Sequence, residues 1–82
     1  NSKIRYNRFM AAYNLALYYE MTDRIDQALT SLDQAEEFAI RRSKKDNTTI
    51  QIFDTSLLEK YREVLNERKK ELETLSEWEK RR

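Results

Sequence analysis

The chain has 82 residues, room for one small domain or part of a larger one, and contains no Gly, Pro, Cys or His. Those absences exclude disulfides, thiolate and imidazole metal sites, Cys- or His-dependent catalysis and glycine-rich phosphate loops. Charged residues make up 38% of the chain yet leave a net charge of only +1. That is the pattern of solvated helix faces with interleaved signs, not of a nucleic-acid binder with a strong field.

Without the two residues that punctuate turns and end helices, the chain is expected to have few turns and long helices. The first helix is predicted over 2–21, with Phe9, Ala12, Tyr13, Ala16, Leu17 and Tyr19 on one side at spacings of three and four. A turn follows at Thr22, Asp23 and Arg24. Asp tolerates the left-handed conformation better than most residues, and Asp23 is also a candidate cap for the next helix. The second helix is predicted over 25–43, with the stripe Ile25, Ala28, Leu29, Leu32, Ala35, Phe38 and Ala39. Its acids (Asp26, Asp33, Glu36, Glu37) come early and its cations (Arg41, Arg42, Lys44, Lys45) late, the sense that complements a helix dipole.

Asp46, Asn47 and Thr48 break the pattern. The third helix has two candidate starts, since Thr48 with Gln51 and Ser56 with Glu59 both fit a capping box. The β-branched stretch between them admits a brief extended segment. A helix over 48–80 is favoured, because Ile50, Phe53, Leu57, Tyr61, Val64, Leu65 and Arg68 hold a helical stripe through both starts. At 1.5 Å per residue that helix would be roughly 50 Å long against about 30 Å for each of the others, so they cannot cover it. No linker composition marks a second domain, and 1–82 reads as a single all-α domain of three antiparallel helices. No apolar run approaches the roughly 20 residues that span a bilayer.

The order Ala12, Leu15, Ala16, Tyr19, Ala28, Leu32, Ala35 resembles one tetratricopeptide repeat, an antiparallel helix pair whose small positions allow close approach while large ones fill the seam. The resemblance covers residues 11–36. It departs at Ala12, where an aromatic is common, at Ala16, where glycine is common, and at Ile40, where a helix-ending proline is typical. The last departure implies that the second helix runs on past the usual stop. The resemblance implies no catalytic residues and a protein-binding groove on the first helix, which here would include Met10, Tyr13, Leu17, Glu20 and Met21. Asn14 matches a family Asn that bonds a bound peptide's backbone. Tyr13 and Leu17 stand where carboxylate-gripping members carry Lys and Asn, which argues against a carboxylate clamp. A fainter similarity to the C-terminal part of bacterial envelope lipoproteins keeps an envelope location open beside a cytoplasmic one.

Other clusters have plainer readings. Phe9 and Tyr19 are expected in the core, whereas Tyr6, Tyr13 and Tyr18 with them cover more than one helix face. Residues 41–45 and the terminal Lys80, Arg81 and Arg82 suit dipole complementation and solubility better than phosphate binding. The glutamates of the third helix are interspersed with Lys60, Arg62, Lys69 and Lys70 and lack the Glu-x-x-His pattern of di-metal bundles, so no enzyme or cofactor is expected. Leu72, Leu75 and Trp78 share a face where the third helix outruns its neighbours, a second candidate contact surface. The expected function is protein or peptide binding or self-association as a scaffold, with a nucleic-acid-binding domain using 41–45 and a structural helical spacer as alternatives.

Overall fold

Short side chains decide how the first two helices meet. A computed structural model describes residues 2–81; Asn1 and the Arg82 of the terminal basic cluster lie outside the described residues. The elements run α1 (Ser2–Met21), α2 (Ile25–Phe38), β1 (Ile40–Arg42), β2 (Thr49–Gln51) and α3 (Ser56–Lys80). Ala12 and Ala16 of α1 and Ala28, Ser31, Leu32 and Ala35 of α2 are all buried. With mostly alanines along this seam, the backbones approach closely and the apolar contact is made by main chain as much as by side chain.

The turn between α1 and α2 is tight. Asp23 takes a left-handed φ of 59°, and the Arg24 N–H returns 2.8 Å to the Tyr19 carbonyl, closing the end of α1. Asp23 does not cap α2, however: the cap position is Arg24, and no side-chain cap bond forms there. The Asp23 carboxylate instead accepts a hydrogen bond from Arg68 of α3 at 3.0 Å.

The predicted second and third helices both prove too long. α2 stops at Phe38, and the segment expected to be its last turn is β1. A continuing helix would need the Ala39 carbonyl to accept the Ser43 N–H. That carbonyl is taken instead by the N–H groups of Ile52 and Phe53, at 2.7 and 3.2 Å, while the Ser43 N–H goes 2.9 Å to Thr48. The β-branched stretch therefore pairs, Arg41 opposite Ile50 and Arg42 opposite Thr49, in a small antiparallel hairpin. Asn47, with φ 57°, supplies the left-handed position between its strands. Arg41 and Arg42 accordingly lie on a strand, where they complement no helix dipole, and Arg42 pairs with Glu37 at 2.7 Å.

α3 begins at Ser56, not Thr48. Neither capping box forms. The Thr48 hydroxyl donates to Asp46, and the Gln51 side-chain amide donates to the Phe53 carbonyl. The carboxylate that starts α3 is Asp54, which accepts the Ser56 N–H at 3.0 Å and the Ser56 hydroxyl at 2.7 Å. Those two bonds hold the Asp54 carboxyl below the usual carboxylate range.

With that start, α3 buries Leu58 and Leu65 and leaves Leu57 and Val64 outside. The seven-residue step from Leu58 to Leu65 is two helical turns, so one stripe meets the hairpin. Leu65 and Leu32 are the largest side chains excluded completely from solvent. Ion pairs flank this contact. Arg62 reaches Asp33 and Glu36 at 2.8 and 2.7 Å, and Lys69 reaches Asp26 at 2.9 Å. Later residues of α3 thus meet earlier residues of α2, and the two helices are antiparallel. Arg68 meets Asp23 at the turn, so the part of α3 beyond it projects past the hairpin. The molecule is accordingly long, 57 × 25 × 18 Å.

Leu65→Ala is expected to cost about 2–5 kcal/mol, a large part of the stability of a domain this small. Urea unfolding followed by circular dichroism measures it; a loss below about 1 kcal/mol would mean that α3 is not docked through Leu65.

Candidate functional site

Where α1 faces the start of α3, aromatic side chains meet without filling the space between them. Phe53, just ahead of α3, lies with its ring centroid 5.4 Å from both Tyr6 and Phe9. One turn and more along, the Tyr13 and Tyr61 rings meet edge to face at 5.9 Å. The space between is a groove of about 550 Å³, walled by Met10, Tyr13, Phe53, Leu57 and Leu58. Aromatic rings give such a wall large contact area at low entropic cost, and the Tyr hydroxyls keep one edge wet.

Further along, a polar contact joins α3 to α1. The Tyr61 hydroxyl donates a hydrogen bond to Glu20. Burial, and then this bond and the Glu20 charge, push the Tyr61 phenol above its ordinary value. Asp26 raises Lys69 in the same way, through their hydrogen bond and then its charge.

The expected site residues divide. Met10 and Tyr13 line the groove, half-buried. Leu17 is half-buried on the same helix, and Glu20 is engaged with Tyr61. Asn14 and Met21 are exposed and do not line the groove. Leu72, Leu75 and Trp78 are all exposed. Leu72 folds back beside Arg24 and Ile25 at the hairpin turn and is 37% exposed, whereas Leu75 and Trp78 are each 56% exposed on the projecting part of α3. Phe9 is in the core and Tyr19 half-buried against it, while Tyr6 and Tyr18 are exposed.

Spacing alone puts Leu57 and Phe53 on a helical stripe, and their role as groove wall follows only from the start of α3 at Ser56. The ion pairs across α2 and α3 were read as solvated charge. Their signal was present: Asp26 and Asp33 are seven residues apart, as are Arg62 and Lys69, which matches two antiparallel helices turn for turn. Among the described residues no group of His, Cys, Asp and Glu side chains is placed to hold a metal ion. Nor, among the described residues, is any helix long and apolar enough to cross a membrane.

Tyr61 gives the fold a signature at alkaline pH. Its pKa is higher folded than unfolded, so its contribution to stability is complete below about pH 10 and is lost as the pH rises further. Lys69 acts in the same direction. Tyr61→Phe is therefore expected to shrink, without abolishing, the drop in stability between neutral pH and pH 11. Denaturant midpoints of both proteins across that range measure it, and parallel curves would remove Tyr61 from the account.

No curated protein and no solved structure matches the chain. Residues 1–67 match the family described as a domain of unknown function, DUF6340, which takes in the hairpin, the strand pair and the docked half of α3 but not Leu72, Leu75 or Trp78. On a match over that much of its length, the chain belongs to the DUF6340 family.

Proposed function

We propose that this chain is a non-catalytic protein-interaction or assembly module built like a tetratricopeptide hairpin, with α3 as the cap that completes a binding groove. The observation that carries the reading is the apolar groove between α1 and the start of α3, in which Met10 and Tyr13 stand beside Phe53 and Leu57. The burial of Ala12, Ala16, Ala28, Leu32 and Ala35 together supports the tetratricopeptide likeness. Leu15, a large residue of the same pattern, departs from it, being 41% exposed on the flank of α1 and not in the seam.

A groove of this kind takes apolar side chains from an extended or helical peptide, with affinity from desolvated aromatic contact. The basic stretch favours no second reading, because Arg41 and Arg42 alternate in direction along a strand and Arg42 already pairs with Glu37.

Selection of displayed random peptides against the folded chain tests the proposal. Enriched sequences should carry apolar anchors at helical or alternating spacing, and their binding should shift the amide resonances of Met10, Tyr13 and Leu57. Leu57→Asp, a change at a 71% exposed position that leaves the core alone, should weaken binding tenfold or more. Peptides that map to residues 41–45, or that ignore Leu57→Asp, would contradict it.

A further inference from the structure

Beside the buried residues of α3 runs a stripe that repeats with the period of a coiled coil and touches the core only at Tyr61. Leu57, Tyr61, Val64, Arg68, Glu71, Leu75 and Trp78 follow the alternating steps of four and three that define positions a and d of a heptad. The buried Leu58 and Leu65 lie beside this stripe, not on it. Val64, Leu75 and Trp78 are each 56% exposed, and Tyr61 is half-buried against α1. A shallow trough of about 490 Å³ runs along the middle of the stripe, where Val64, Arg68 and Glu71 face Glu20 of α1. On the stripe itself, apolar positions stand on both sides of Arg68 and Glu71, while Glu63 and Glu67 line the trough beside them.

That order is self-complementary in a single arrangement. Antiparallel helices place a positions against d positions. A two-fold axis midway between Arg68 and Glu71 sets Arg68 of each copy on Glu71 of the other. The same axis sets Val64 on Leu75 and Tyr61 on Trp78, so the three pairs from Tyr61 to Trp78 are matched in kind, with Leu57 lying beyond them. A parallel pair would set Arg68 on Arg68 and Glu71 on Glu71, two like-charge contacts at the centre. Arg68 already gives a hydrogen bond to Asp23 of its own chain at 3.0 Å. A guanidinium has five N–H donors in a fork, enough to hold a second carboxylate as well.

We propose that two copies of this chain pair through α3 as an antiparallel two-fold coiled coil, with Arg68 of each on Glu71 of the other. The pairing rests on the interaction reading above and gives it a definite partner, a second copy, on a surface that meets the peptide groove at Leu57. The projecting end of each α3 lies along the docked half of the other, and Trp78 comes to rest at Tyr61, beside the groove edge at Tyr13. Val64, Leu75 and Trp78, which a lone chain leaves half in water, become the apolar seam.

The mass of the intact 82-residue chain, measured by sedimentation equilibrium over a concentration series, tests the pairing. It should rise from 10.0 kDa toward twice that value. Arg68→Glu and Glu71→Arg should each weaken association at least tenfold, and the two together should restore it, since the swapped pair is again complementary. Because the chain has no cysteine, register is readable by cross-linking. Val64→Cys with Leu75→Cys should form a disulfide-linked dimer, and Val64→Cys alone should not. A monomer at all concentrations, a double charge swap that stays as weak as the single ones, or cross-linking by Val64→Cys alone would each overturn the proposal. Helical circular dichroism of each variant checks that these surface changes leave the fold intact. A monomer that still binds selected peptides at Leu57 would sink this pairing and leave the groove standing; a dimer that binds none would do the reverse.

Discussion

The structure depends on the seam between α1 and α2, where four of the buried residues are alanines. Removing side-chain bulk there lets two helices of unequal length lie close enough to act as one surface. That surface has a single dominant cavity-filling partner from outside, Leu65, with Leu58 one heptad before it. If the hairpin opened by the width of a methyl group, Leu65 would lose its contacts and α3 its heading. The ion pairs of Arg62 and Lys69 with the acids of α2 refine that heading, since exposed pairs contribute little stability by themselves.

The groove follows from the same geometry. Because α3 is seated by Leu58 and Leu65, Leu57 is turned outward and Tyr61 is turned toward Tyr13 and Glu20. The segment just after β2 contributes the other wall. By taking the Ala39 carbonyl, Ile52 and Phe53 both end α2 and bring the Phe53 ring against Tyr6 and Phe9. A short β-hairpin in an otherwise helical chain thus has a structural reason: it anchors the segment that leads into α3 and fixes where α3 begins.

Much of this was legible in the sequence. The three helices follow from periodicity, a local property, while the left-handed turn at Asp23 and the seam of small residues were legible through the tetratricopeptide resemblance. The length of α2 and the start of α3 were not legible, because they are settled by a competition between distant partners. Residues 39–43 and 49–53 read as helical by spacing, and only their pairing with each other makes the extended form better. The groove was half legible for the same reason. Met10 and Tyr13 lie on a helix whose faces can be counted, while Phe53 and Leu57 change sides when the helix start moves from Thr48 to Ser56. Asn14 was placed by family likeness alone, and its own exposed position gives it no share of the groove.

Residue-resolved hydrogen exchange on the dilute chain tests the central claim, that Leu65 seats α3 on an alanine-lined hairpin. The account predicts slow exchange for the amides of residues 12–19, 28–38 and 58–69, rising together to the global unfolding limit, and rapid exchange from about residue 73 onward. Amides around Leu65 that exchange as fast as those of the projecting end would contradict it, because α3 would then be a free helix beside a hairpin rather than the third wall of a folded unit.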